Sequence, residues 1–381
     1  MAGDTTQTAQ GAHEAQPREE RGRGRMALFA RCERALSGHG RLSMRDELAA
    51  LAAEAGAEEE RDIYGAGKLI EDFEHEIAGM LGKPAAVFMP SGTMAQQIAL
   101  RLWSERRGSA TVAFHPTCHL DLHEERAYHA LHGLRARLVG DARALITRAD
   151  LSAIHEPVAA LLLELPQREI GGLLPPWEEL AAQAEWARAH GVALHMDGAR
   201  LWESAPFYER PYAEVAALFD SVYVSFYKGI GGIAGAALAG PADFIAEARV
   251  WRTRHGGTLR SLYPYVLAAR AGLRNRLARF PHYHERALAL ARTLSAIPGV
   301  LLRPNPPHTH MMHVYLRGAP DQLVAASETI ARNESVALFR QLWPTDLPEY
   351  CRFELTVGDA ADALSDDEIA GYFRRVLALA S

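Results

Sequence analysis

The chain has 381 residues, 48% of them hydrophobic and 23% charged, with a formal net charge of −6. That is enough apolar material for one large domain with an appendage, or for two domains. The acidic balance offers no field for nucleic acid, and no apolar run approaches the roughly 20 residues that a membrane span needs.

Residues 1–25, MAGDTTQTAQGAHEAQPREERGRGR, contain no hydrophobic stretch. They read as a disordered tail and not as a secretory signal. Residues 26–63 read as an N-terminal helical segment. Short apolar runs then recur, each followed by a turn and a helical pattern: AAVFM (85–89), TVAFH (111–115), AALLLEL (159–165), VALHMD (192–197) and SVYVSF (221–226). Amphipathic stretches such as PPWEELAAQAEWARAHG lie between them, opened by proline and closed by glycine. Near-continuous apolar strands separated by helices predict an α/β domain over residues 64–267, its mainly parallel sheet covered on both faces. From about Ala268 the pattern turns to Arg- and Ala-rich helices, then to VYLRG and RFELTV strands and a closing helix. This predicts a smaller α+β domain over residues 268–381.

Cys32, Cys118 and Cys351 are widely spaced and include no CxxC pair, which points to a reducing cytoplasm. Cys118 beside His119 raises the possibility of a thiol nucleophile, but a free cysteine is more simply a small buried hydrophobe.

In an open α/β sheet the ligand crevice lies at the carboxyl ends of the strands. Pro90, Ser91, Gly92 and Thr93 follow the first of these runs, and His119 follows the second. Glu164 and Gln167 stand at the end of the third, Asp197 and Arg200 at the fourth, and Lys228 after the fifth. Five strand ends thus bring polar groups to one crevice.

Ser91-Gly92-Thr93 at a helix opening presents free N–H groups to an anion such as phosphate; alone, it is also an ordinary helix cap. A carboxylate ending a buried strand needs a cation. A pyridinium nitrogen would meet Asp197, and so would Arg200 in a plain ion pair. Lys228, preceded by Ser225 and trailed by glycines in SFYKGIGGIAGAAL, reads either as a surface lysine or as a nucleophilic amine for an aldehyde. A phosphate anchor, a carboxylate for a ring nitrogen and a Schiff-base lysine together describe a site for pyridoxal 5′-phosphate.

The segments YGAGKLIEDFEHEIAGMLGKPAAVFMPSGTMAQ, HMDGARLW and KGIGGIAGAALAG resemble the threonine aldolase and β-eliminating lyase family of fold-type-I pyridoxal phosphate enzymes. The resemblance implies an aspartate aminotransferase-like large domain with a seven-stranded sheet, and a homodimer or homotetramer with active sites at subunit boundaries. It implies that Lys228, Asp197 and His119 are catalytic, His119 stacking on the cofactor ring. Ser91, Gly92, Thr93, Glu164, Arg200 and Ser225 then complete the cofactor site. Arg260, in HGGTLR, becomes a phosphate or inter-subunit contact. Arg352, in CRFELTVGD, together with Arg200, becomes the holder of a substrate carboxylate.

The substrate side departs from the family. Its Arg-Ser-Asp-Thr element is not visible in RCERALSGHGRLSM. Glu164-Leu165-Pro166-Gln167 stands where the family shows Glu-Asn-Thr-His, and Glu124-Glu125-Arg126-Ala127 where it shows Glu-x-Gly-Gly. Glutamine cannot take a proton at neutral pH, so the base is expected to be His123, one of His308, His310 and His313, or a water. His115, His119 and His123 have the spacing of a metal face on a helix, but Pro116 and the strand-like TVAF run disfavour a helix through His115, and no metal is expected. The sequence therefore reads as a lyase that splits the Cα–Cβ bond of a β-hydroxy-α-amino acid to glycine and an aldehyde, with threonine not its best substrate. The rival readings are β-elimination or transamination on the same cofactor, or a non-catalytic module of the same fold.

Overall fold

A computed structural model describes residues 24–40 and 42–380, so the tail predicted over residues 1–25 falls almost wholly outside the described residues. The chain divides into two compact units. The larger holds residues 42–285 and 306–311, and the smaller holds residues 24–40, 286–305 and 312–380.

The larger unit is built on a seven-stranded sheet. Its order is Ala85–Met89, Ala236–Gly240, Ser221–Ser225, Ala193–Gly198, Ala160–Glu164, Thr111–Phe114, Arg135–Leu138. Ala236–Gly240 alone runs against its neighbours; the others are parallel. Alternate side chains go to two different cores. Phe88, Leu161, Leu163 and Val224 join one cluster, while Val87, Phe114, Leu162 and Leu238 join another. A sheet buried on both faces needs apolar residues at every position, which is why its strands read as unbroken hydrophobic runs.

Helices cover the sheet between strands. In Lys68–Met80 the stripe Leu69, Ile70, Phe73 and Ile77 is buried, as helical periodicity requires. Beneath the sheet, His195 Nδ1 lies 2.8 Å from Ser221 Oγ and its Nε2 lies 2.6 Å from Gln96 Oε1. Burial pushes this imidazole down to about 3, so the histidine of HMDGAR is a neutral packing residue.

The smaller unit carries a four-stranded sheet ordered Trp343–Pro344, Tyr350–Thr356, Met311–Arg317, Val300–Arg303, with the helices Pro320–Glu334 and Asp366–Leu379. Arg34–Ala35 pairs in parallel with Val336–Ala337. The boundaries therefore differ from those read in the sequence. The 26–63 segment is split: residues before 41 go to the smaller unit, and the helix Met44–Glu54 goes to the larger. The large unit also extends past residue 267 to Glu285. That boundary falls inside the helix Phe280–Ser295, where the periodic pattern has no break to mark it.

Candidate active site

Lys228 follows the strand Ser221–Ser225 in a turn closed by two short hydrogen bonds. Gly231 N donates to Lys228 O at 2.8 Å, and Gly232 N donates to Phe226 O at 2.6 Å. Gly231 has φ +72°, and a Cβ there would lie 1.9 Å from the Arg276 guanidinium. Gly235 has φ +106°, and a Cβ there would lie 2.3 Å from the Phe88 ring. Glycine is required at both because the backbone is left-handed and pressed against neighbours. Lys228 Nζ lies 5.1 Å from the centroid of the Tyr227 ring.

One strand over, Asp197 is 3% exposed and stands level with Glu164 on the adjacent parallel strand. Asp197 Oδ1 accepts from Ala199 N at 3.0 Å. Burial pushes its carboxyl above the usual range, with Ala199 N–H, His119 and Lys228 acting against the rise. Glu164 is pushed up to about 8, first by burial and then by the Asp197 charge. Among the described residues no ion pair joins Asp197 to Arg200; Arg200 Nε lies 3.9 Å from Glu203 Oε1 instead. The plain Asp197–Arg200 pair is thus not what satisfies this carboxylate.

The helix Gly92–Arg107 opens at the carboxyl end of the first strand. Ser91 caps it, accepting from Met94 N at 3.3 Å. A Cβ at Gly92 would sit 2.0 Å from Tyr223 Oη, so the helix start and a buried phenol meet with no room for a side chain. Thr93 follows within the first turn. Ser225 Oγ donates to Ala199 O at 2.9 Å and ties the lysine strand to the Asp197 loop.

His119 Nδ1 lies 3.0 Å from Glu124 Oε1, and the other oxygen of that buried carboxylate, Oε2, has no hydrogen-bond partner among the described residues. The rings of His119 and His123 have centroids 5.0 Å apart. His123 Nε2 lies 2.9 Å from Glu169 Oε1, and the His123 side chain is 40% exposed. Gln167 is buried, its Nε2 donating to Glu164 Oε2 at 3.2 Å and to Thr117 Oγ1 at 3.4 Å. His115 turns elsewhere, to Thr117 and to the backbone carbonyls of Asp141 and Ala144, so it does not join the other two as a metal face. Cys118 is 1% exposed and burial pushes its thiol well up, which removes it as a nucleophile.

The remaining candidates are more scattered. The Arg260 guanidinium stacks 5.3 Å from the Tyr64 ring centroid. His308 stacks on Phe207 at 4.5 Å and bonds to Leu174, and His310 is buried against Glu203. Neither is placed to serve as an open base. In the smaller unit, Arg352 Nη1 donates to His313 Nδ1 at 2.5 Å. Sequence reading missed Tyr223, Tyr227, Glu203 and Arg276. A tyrosine inside an otherwise aliphatic buried strand was the available signal for Tyr223; the other three gave none.

These residues fit pyridoxal phosphate. The buried Asp197 carboxylate, level with the buried Glu164 on the next strand, is an acidic group that a protonated ring nitrogen would neutralise. The cramped, capped helix start suits a phosphate, and Lys228 supplies an amine at the strand end.

The doubly covered, mainly parallel sheet, with its polar groups at the carboxyl edge, is the fold of the fold-type-I pyridoxal phosphate enzymes. The family model for β-eliminating lyases matches residues 43–317, and the chain belongs to that family. A structure from Exiguobacterium sp. 255-15, described as a candidate aromatic amino acid β-eliminating lyase/threonine aldolase, is 43% identical. The match covers 93% of this chain and 99% of that one, with a TM-score of 0.87. A candidate L-allo-threonine aldolase from Listeria monocytogenes EGD-e is 42% identical over 94% of this chain and 99% of its own, with a TM-score of 0.88. Low-specificity L-threonine aldolase 1 of Arabidopsis thaliana is 29% identical over 68% of this chain and 75% of its own.

Proposed function

We propose that this protein is a pyridoxal phosphate-dependent lyase that cleaves the Cα–Cβ bond of a β-hydroxy-α-amino acid to glycine and an aldehyde. The observation that carries the reading is that Lys228 follows one strand of the sheet while the buried Asp197 ends the adjacent parallel strand. Relatives named as threonine aldolases support the bond chosen. When bound, pyridoxal phosphate supplies an aldehyde for amines and a protonated ring that draws in the electron pair of the breaking bond.

Lys228 would hold the cofactor through its amine. Asp197 would keep the ring nitrogen protonated, and Ser91, Gly92 and Thr93 would receive the phosphate. His119, steadied by Glu124, would lie against the ring; Glu164 and Ser225 brace the strand ends on either side. Arg200 takes the substrate carboxylate, and Arg260 serves the phosphate or a second subunit. His123 removes the β-hydroxyl proton at Nδ1, because Nε2 faces Glu169, whose carboxylate stabilises the imidazolium. Gln167 orients the hydroxyl without taking its proton. The working form is a cytoplasmic homodimer or homotetramer.

The test is to supply the cofactor-loaded protein with a panel of β-hydroxy amino acids and to assay products. Glycine and aldehyde in equal amounts support the reading. Keto acid and ammonia would replace it with β-elimination.

A further inference from the structure

The turn that carries Lys228 rests on a buried carboxylate that none of the roles above uses. Glu203 lies in the short helical turn Leu201–Ser204, three residues after Arg200. Its Oε2 is 2.9 Å from His310 Nε2, and both side chains are 1% exposed. Its Oε1 lies 3.9 Å from Arg200 Nε. The N–H of Gly229, the residue directly after Lys228, donates to the same carboxylate. A Cβ at Gly229 would come within 2.7 Å of Glu203 Oε1 and 3.0 Å of the Phe280 ring, so the backbone closes tightly on this group.

His310 is held from its far side. It stacks on Tyr283, with centroids 5.9 Å apart and planes 23° apart, and meets the edge of Phe280 at 5.4 Å. A carboxylate this deep is tolerated only when cations and N–H groups surround it. Burial alone would push the Glu203 carboxyl up; His310, Arg200 and the Gly229 N–H outweigh it and hold the group below its ordinary range. The Glu203 carboxyl is therefore enclosed on all sides and attached to the backbone one residue from the reactive amine.

We infer that Glu203, anchored by His310, is a positioning residue that fixes the Lys228 turn and the Arg200 guanidinium relative to each other. A carboxylate within the core has no need to touch either element; this one touches both. The inference goes beyond the choice of bond broken and rests only on Lys228 being the attachment lysine.

Glu203→Gln keeps the shape and an acceptor but removes the charge, and His310→Gln removes the anchor. Readouts on the cofactor-free and the cofactor-loaded protein separate positioning from simple core packing. In the cofactor-free protein, hydrogen exchange across residues 226–235 is expected to speed up roughly tenfold in either variant, the effect of losing a charge-assisted hydrogen bond. In the loaded protein, the pH midpoint of the visible cofactor band is expected to move, and kcat to fall together with a rise in KM through Arg200. Combining the two substitutions is expected to add little to either alone. If Glu203→Gln does not fold, His310→Gln carries the same test. Folded variants with unchanged exchange, band midpoint and kcat, differing only in melting temperature, would overturn the inference. A wild-type protein with a normal band that releases no aldehyde would instead overturn the lyase reading and leave this one standing.

Discussion

Glu164 and Asp197 stand level on adjacent parallel strands, both carboxyls buried. Two acids one rung apart in a dry site cannot both ionise cheaply, and Glu164 is pushed up to about 8 by burial and by the Asp197 charge. A carboxyl raised in the folded chain binds a proton there that the unfolded chain has already lost. Its contribution to stability is complete below its ordinary value and is lost as pH rises through the folded value. The cofactor-free protein is therefore expected to lose on the order of 2 kcal/mol between about pH 5 and pH 8. Glu164→Gln should flatten that slope. Denaturant midpoints at the two pH values check it, and a wild-type profile already as flat as the variant's would show that Glu164 is ionised throughout.

Asp197→Asn is expected to keep pyridoxal phosphate bound and to lower kcat by about 10²–10³, since a neutral amide no longer holds the ring nitrogen protonated. Retained visible absorbance with collapsed turnover is the expected pair of readings. Near-normal turnover would leave the buried carboxylate without a catalytic role.

Threonine is expected to be a poorer substrate than a bulkier or more polar β-hydroxy amino acid, because Gln167 is buried and bonded to Glu164 and Thr117 and cannot act as a base. Removing the proposed base with His123→Phe should lower kcat/KM by about 10²–10⁴, the usual worth of general-base transfer. Gln167→His should raise kcat/KM for threonine in particular. If threonine proves the best wild-type substrate and neither change matters, the base is elsewhere.

Gly92→Ala places a methyl group 2.0 Å from Tyr223 Oη. The helix start must shift, at about 1–3 kcal/mol in stability, and the affinity for pyridoxal phosphate should weaken because the phosphate is expected to sit there. Cofactor titration of the variant reads both effects. Unchanged affinity in a destabilised variant would separate the phosphate from this turn.

Much of this site is legible in the sequence because strand ends are. A parallel sheet with two covered faces produces apolar runs whose last residues must lie at the crevice, so Ser91, Glu164, Asp197 and Lys228 were placed by pattern alone. The pairing of Glu164 with Asp197 was not, since register across strands leaves no mark on either run. The contact of Glu203 with His310 was equally hidden. The two residues lie over 100 residues apart in sequence and meet only because residues 306–311 return to the larger unit. The boundary at Glu285 was lost for a related reason, a helix running straight through it.

The central claim is that this sheet gathers a pyridoxal phosphate site around Lys228. Its most direct test is borohydride reduction of the cofactor-loaded protein, followed by peptide mass mapping. The expected result is a single phosphopyridoxyl group on Lys228 and none on Lys228→Ala. The same adduct retained by Lys228→Ala, or carried on Lys68 or Lys83 in the wild type, would contradict the account.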